Sequence, residues 1–414
     1  MKNKEEKKKT EVILSCLRGE IKAYQAASVL RVSVRQVEKL KAKVRRGQSL
    51  IHGNCGRKSG RATPKEIIEK ILSEYQNPLY KGINFAHFTE LLNEDKHVAS
   101  YSTVAKVLKK HGFVSPKAKR NPKKVHKTRE RRIKYGELLQ GDGTEFEWFR
   151  NLGITEKYVI HGLIDDATGR VIALYMSKHE CLHGFLEVLR YTLQEHGIPM
   201  SLYLDGSSVF FSHKRDELTI EEELSGIQER KTRFGEICDY LGIEIIRAHS
   251  SQAKGRVERL WETLQSRLPI EFARRGIKTA EAANAFFPDF IETLNGRFAL
   301  VGDFESDFVP LPVSVNLDEL LCYKEQRTVL KGGVISLKNI KFSVVGLDKI
   351  GAQLEILISK RLGVIAKYAD KFYELRPIEW QKKSINSSDS AEMILNRFVH
   401  FYTLKDEHAI RISA

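Results

Sequence analysis

Leu138-Leu139-Gln140-Gly141-Asp142 sets an acid just inside an apolar run, and Ser201-Leu202-Tyr203-Leu204-Asp205 closes a second run on another acid. A third acid, Glu258, stands in Ser251-Gln252-Ala253-Lys254-Gly255-Arg256-Val257-Glu258-Arg259, where the pattern turns helical. Periodicity around these acids predicts strands over 136–149, 158–164 and 171–176, a helix over 182–195, a strand over 202–204, a helix over 233–241, a strand over 243–246 and a long helix over 255–267. That alternation is the mark of an α/β domain, and its first three strands follow one another closely enough for an antiparallel meander. Strand, strand and helix can carry Asp142, Asp205 and Glu258 to one place although they are far apart in sequence. Carboxylates are the oxygen donors that a hard ion such as Mg²⁺ prefers. Two such ions can stabilise the attacking and the leaving oxygen of an in-line displacement at phosphorus. Asp142, Asp205 and Glu258 are therefore the candidate catalytic and metal-ligating residues, with two Mg²⁺ as cofactor and Mn²⁺ as a substitute.

Neighbouring acids read differently. Glu145 and Glu147 have the opposite parity to Asp142 on the first strand and so face away from it. Asp165 and Asp166 fall in Asp165-Asp166-Ala167-Thr168-Gly169, where Asp shapes a turn by bonding local backbone. Glu262 lies one helical turn beyond Glu258 and competes for the third position, but the Gly255-Arg256-Val257 start favours Glu258. Lys254, Arg256 and Arg259 flank Glu258 as candidate DNA contacts, with solvated helix charge as the alternative.

Working outward, the 414-residue chain is long for one domain, and its formal net charge of +16 suggests a polyanionic partner. A hydrophobic content of 42% supports ordinary cores and argues against wholesale disorder. Cys16, Cys55, Cys181, Cys238 and Cys322 lack zinc-site spacing and read as reduced thiols. No apolar run is long enough to span a bilayer, and the first residues lead into no signal-peptide core. A soluble, cytoplasmic protein without membrane partners is the expectation.

Residues 10–47 read as a helix-turn-helix domain, after nine mostly charged residues expected to fray. Ser33 can cap the last helix with Gln36 three residues on. Val34, Val37, Leu40 and Val44 form its apolar stripe, while Arg35, Lys39 and Lys43 are basic candidates for DNA contact in the major groove. A small three-helix domain with a solvated basic face is the alternative. Thr63-Pro64-Lys65-Glu66 starts a further helix. With helices over 85–92 and 102–108 it makes residues 62–114 a second helical unit, of helix-turn-helix or winged-helix-like type. Residues 115–135 form a basic linker: from Ser115 to Lys134 there are ten Lys or Arg against the single acid Glu130. Lys123 and Lys124 in it are candidate contacts to DNA backbone, which binds such segments by counterion release.

Beyond the last acid, residues 267–294 continue helical until Asn295-Gly296 turns the chain out of an α/β core spanning 136–300. Short β-type runs at 328–330, 334–337, 342–345, 354–358, 364–367 and 372–375 follow, with Lys331-Gly332-Gly333 and Lys338-Asn339 as hairpin turns. They predict a small β-barrel over 315–378, and then a polar tail over 379–414.

The three acids, on the first strand, fourth strand and last helix of this order, resemble the DDE triad of the retroviral-integrase superfamily and its ribonuclease-H-like core. Asp165-Asp166-Ala167-Thr168-Gly169, Asp205-Gly206-Ser207-Ser208-Val209-Phe210 and His249-Ser250-Ser251-Gln252-Ala253-Lys254-Gly255-Arg256-Val257-Glu258-Arg259 resemble the segments around that triad. Over residues 10–375 the chain is similar to insertion-sequence DDE transposases of the ISNCY type. Two departures stand out. Asp205 and Glu258 are 53 positions apart, more than the family's usual spacing, through a charged insert over His213–Lys231. Gly206 replaces the asparagine common after the second aspartate. The resemblance implies a DNA transposase that binds the ends of an insertion sequence and catalyses metal-dependent 3′-end cleavage and strand transfer into target DNA, without a covalent protein–DNA intermediate. It also implies double-stranded DNA as partner, a homodimer or higher homo-oligomer in the DNA complex, and a bacterial cytoplasmic protein that joins the nucleoid when DNA-bound. A catalytically spent, domesticated DNA-binding regulator and a ribonuclease-H-like nuclease are the alternatives.

Overall fold

The computed structural model describes residues 2–48, 50, 62–116, 130–211, 231–248, 255–337 and 340–378. The chain divides into two compact units, residues 1–69 and 70–414.

In the first unit α1 (Lys2–Leu17), α2 (Ala23–Leu30) and α3 (Val34–Arg45) close on Ile13, Cys16, Ala26, Ala27, Val37 and Leu40. The charged start, expected to fray, is the first part of α1. Arg31 takes a left-handed conformation (φ 53°) and ends α2. Ser33 then caps α3, its Oγ accepting from the Gln36 N–H at 3.2 Å. Val34, expected on the apolar stripe, is 46% exposed, because the core closes one turn further along, at Val37 and Leu40. Arg35, Lys39 and Lys43 are exposed at four-residue steps, along one side of α3.

The division between units falls inside α4 (Lys65–Tyr75). Tyr75 meets Phe85, Phe88 and Phe113 edge-on, which packs the end of α4 against α5 (Phe85–Leu92) and the turn that follows α6 (Tyr101–Lys110).

Among the described residues, five strands form the central sheet in the order β3-β2-β1-β4-β5. β1 (Leu139–Phe146), β2 (Tyr158–Asp165) and β3 (Val171–Ser177) are the antiparallel meander, while β4 (Ser201–Leu204) and β5 (Glu244–Arg247) run parallel to β1. One face is covered by α7 (Leu182–Glu195) and α8 (Arg233–Leu241), over a core that includes Leu139, Leu163, Leu189, Leu202 and Leu204. The other is covered by α9 (Gly255–Arg275) and α10 (Ala280–Phe298), over Ile160, Leu174, Met176, Trp261 and Phe287. The continuous helix expected over 267–294 is broken. Gly276 adopts φ 66° after α9, and Thr279 caps α10 by accepting from the Ala282 N–H. Asn295 does not turn the chain out of the core, as expected, but lies inside α10. Its side chain bonds both N–H and C=O of Val171, and Asn284 does the same to Met176. These two amides satisfy backbone groups on the edge strand β3, which would otherwise be open to pairing with another strand.

The helical unit of α5 is fixed to this layer. Glu90 takes both terminal nitrogens of Arg267 at 2.6 and 2.9 Å and also pairs with Arg297. His87, fully buried, bonds Glu271 at 2.9 Å, and Glu94 pairs with Arg274. Beyond α11 (Leu317–Leu320), six strands among the described residues form a second sheet, ordered β6-β9-β10-β11-β8-β7. They are β6 (Tyr323–Thr328), β7 (Val334–Leu337), β8 (Ile340–Val344), β9 (Gln353–Ser359), β10 (Gly363–Tyr368) and β11 (Lys371–Pro377). Its first strand lies earlier than the expected 328–330, and edge strands β6 and β7 approach each other, so the sheet is nearly closed. No helix among the described residues is long and apolar enough to cross a membrane.

Candidate active site

β1 turns one face to α8 and α7 and the other to α9. On the first face Gly141 leaves room for Leu204 and Leu163: a Cβ there would come within 2.6 and 2.9 Å of their methyl groups. On the second, alternate residues of β1 meet every fourth residue of α9. The Gln140 Oε1 accepts from the Val257 N–H at 3.4 Å, the Asp142 Oδ2 from the Trp261 indole at 3.1 Å, and Gln265 bonds the Thr144 hydroxyl at 3.3 Å. Two strand residues advance about 6.6 Å and four helix residues about 6 Å, so the two repeats stay in step. This match sets the height of α9, and hence of Glu258, against β1.

The second acid comes from the neighbouring parallel strand. Leu139 pairs with Leu202 and Gln140 with Tyr203. Carried two residues on, that register sets Asp142 level with Asp205, one residue past the end of β4. Asp205 opens a turn there, its Oδ1 accepting from the Ser207 N–H at 3.1 Å. Glu258 is exposed on the first turn of α9, three residues before Trp261. Among the described residues, no three His, Cys, Asp or Glu side chains form a group that could hold a metal ion. The donor set itself, three carboxylates, suits a hard oxygen-seeking cation.

Asp165 and Asp166 separate in role. Asp165 accepts from the Gly136 N–H and from both the N–H and hydroxyl of Thr168, and so ties the turn after β2 to the start of β1. Burial pushes its carboxyl up, with Asp166 adding to the effect. Asp166 does more than shape the turn. Fully buried, it accepts from Gln140 Nε2 at 2.7 Å, from the Arg132 N–H at 2.8 Å and from the Arg256 guanidinium at 2.7 Å. Arg256, expected at phosphate, is only 14% exposed and turned to this carboxylate. Gln140 donates its amide N–H to Asp166 and accepts from the Val257 N–H with its amide oxygen, so one side chain joins strand, turn and helix start.

Arg259 is exposed beside Glu258, and Glu262, the rival acid, is also exposed on α9. Glu145 lies off this face and pairs with Lys157. Lys123, Lys124 and Lys254 lie outside the described residues, as do Cys55, the insert over 213–230 and the Lys338-Asn339 turn. The sequence motifs assign no role to Gln140 and do not reach Trp261 or Arg247. Trp261 was open to discovery, because it stands one turn from Glu258; its partner on β1 was not.

No family model matches the sequence. The chain is 34% identical over 371 residues to the transposase for insertion sequence IS1202 of Streptococcus pneumoniae, covering 81% of this chain and 77% of that protein. It is 34% identical over 326 residues to the putative transposase y4bF of Sinorhizobium fredii, covering 77% and 68%. Among solved structures it is similar to the simian T-cell lymphotropic virus intasome in complex with PP2A regulatory subunit B56 gamma. That match has 15% identity, covers 73% of this chain and 96% of the other, and has a TM-score of 0.29. It is also similar to the HTLV-2 integrase catalytic core domain in complex with magnesium, with 17% identity, coverage of 41% and 93%, and a TM-score of 0.28.

Proposed function

This chain belongs to the insertion-sequence transposases, and from that premise we propose that it binds the ends of its element and catalyses metal-dependent 3′-end cleavage and strand transfer, with Asp142, Asp205 and Glu258 as the catalytic acids. The observation that carries the reading is the pairing of Leu139 with Leu202 and Gln140 with Tyr203, a register that, extended two residues, sets Asp142 level with Asp205, while α9, bonded to β1 at Asp142, carries Glu258. Mg²⁺, or Mn²⁺ in its place, would be held by these three carboxylates and would supply charge stabilisation to the attacking and leaving oxygens.

The chain's own residues set the geometry for that work. Trp261 orients Asp142. The Ser207 N–H orients Asp205. Gln140, Asp166 and Arg256 fix the first turn of α9 on which Glu258 stands, so Arg256 serves position in this reading and Arg259 is the candidate contact to phosphate. Arg35, Lys39 and Lys43 form the DNA-contacting side of the N-terminal helix-turn-helix, and Lys123, Lys124 and Lys254 are further candidate contacts to DNA. The partner is double-stranded DNA, and pairing two element ends calls for a homodimer or higher assembly.

The decisive experiment is strand joining by purified protein, using labelled element-end DNA, a target plasmid and Mg²⁺ or Mn²⁺, beside Glu258→Gln and Glu262→Gln. Joining by the wild type and by Glu262→Gln, but not by Glu258→Gln, is the expected result. Binding without cutting in either metal would make the chain a DNA-binding regulator instead.

A further inference from the structure

Gly206 occupies the place after Asp205, and the structure shows what fills the space a side chain would take. A Cβ at 206 would stand 3.0 Å from Nη2 and 3.3 Å from Nε of Arg247. Arg247 ends β5, where it pairs with Leu204, the residue before Asp205. The Ala248 N–H donates to the Leu204 carbonyl at 2.7 Å, which extends this pairing one step past the strand. From the Leu204 face of the sheet, the Arg247 side chain crosses the end of β4 over Gly206. Its guanidinium carbon then rests 5.1 Å from the centre of the Phe211 ring. That ring is anchored: Phe211 packs against the core under α7, and the Phe210 and Phe211 N–H groups both bond the Ser207 carbonyl. Arg247 is exposed, and among the described residues no carboxylate pairs with it.

We propose that Arg247 is a phosphodiester-binding residue, holding a backbone phosphate of the DNA strand next to the one that is cut. A guanidinium is planar, permanently charged and able to present two parallel N–H donors to phosphate oxygens. The cation–π contact with Phe211 restrains the guanidinium in advance, so less freedom is lost when phosphate binds. Its site is at the sheet's end beside Asp205, whose carboxylate points to the opposite face by strand alternation. The phosphate held is therefore a neighbour of the scissile one. Gly206 suits this arrangement, since the Cβ of an asparagine there would crowd the guanidinium and make it give by a few tenths of an ångström.

The proposal rests on the assignment of Asp205 as a catalytic acid, and the experiment keeps the two apart. Single-turnover cleavage of an end duplex is measured for the full-length wild type, Arg247→Ala, Arg247→Lys and Gly206→Asn, with melting temperature as the check on folding. Neutral methylphosphonates are placed one at a time at the phosphates flanking the cut. Removing a charged hydrogen bond to phosphate is expected to slow Arg247→Ala and Gly206→Asn by about 10- to 100-fold, with Arg247→Lys between them and the wild type. At one flanking position the methylphosphonate slows the wild type but adds no further loss in Arg247→Ala. An interference pattern identical in wild type and Arg247→Ala would overturn the assignment and reduce Arg247 to a support of the turn. So would cleavage by Arg247→Ala at the wild-type rate. A wild type inert in both metals would instead bring down the reading of the three acids, and this proposal with it.

Discussion

The Trp261 indole N–H donates to Asp142 Oδ2 at 3.1 Å, and the same ring lies over Gly162, the residue paired with Asp142 across β1 and β2. A Cβ on Gly162 would stand 2.9 Å from the far edge of the indole. Asp142, Gly162 and Trp261 thus form one fitted unit: the glycine admits the ring, and the ring aims the acid.

Trp261→Phe keeps most of the ring and removes the donor. Its cleavage rate is expected to fall by about 10- to 100-fold, the value of a hydrogen bond to a charged group, while the melting temperature shifts by only a few degrees. Gly162→Ala is expected to cost both rate and stability, since the ring has to move. Equal rates for Trp261→Phe and wild type would separate the indole from catalysis.

Asp166→Asn removes the charge facing Arg256, which is 14% exposed. Breaking a buried pair from one side costs about 3 kcal/mol. The loss is expected at the start of α9, so hydrogen exchange there quickens more than in α10, and cleavage slows although Asp166 touches no substrate. Unchanged exchange over the first turn of α9 would refute the link.

The bidentate Glu90–Arg267 pair predicts that the α5 unit behaves as part of the core. Glu90→Gln leaves the 9%-exposed Arg267 without its full partner, at a cost of about 2 kcal/mol. Limited proteolysis around α5 should then speed up. A wild type already cleaved there as fast as the variant would show a loosely held unit.

Acid lability follows from the buried imidazoles. Burial brings His161 and His183 each down to about 3, with Lys360 and Arg361 adding to the effect on His183. Burial also lowers His87, against the pull of Glu271. In the unfolded chain each takes a proton near its ordinary value of 6.5. Their contribution to stability is therefore complete above that value and is lost as pH falls from it toward the depressed folded values. Each group adds a slope of up to about 1.4 kcal/mol per pH unit. Urea midpoints at pH 7 and pH 5 should differ less for His161→Gln than for wild type; an equal difference would clear His161 of the role.

For the first unit, changing Arg35, Lys39 and Lys43 to Ala should weaken end binding and lower the salt slope by about 3, one for each phosphate no longer neutralised. An untouched slope would leave α3 outside the DNA interface.

Much of this was legible in the chain. Strand alternation and helical periodicity located every strand of the central sheet to within a few residues, because those patterns report local backbone geometry. Ser33 announced its cap for the same reason. The parity of β1 set Glu145 apart from Asp142. Boundaries governed by packing were not legible: α9 and α10 separate at Gly276, and Asn295 sits inside a helix with its amide bonded to the edge of β3. What the sequence by itself determined is the set of elements and the three acids borne on them. Only the tertiary structure decided that Asp142 answers to Trp261, that Asp166 holds Arg256, and that Arg247 fills the space at Gly206. Each of those choices joins residues distant in sequence. Such pairings depend on strand register and helix height, which are settled by the packing of whole layers and leave no local pattern to read.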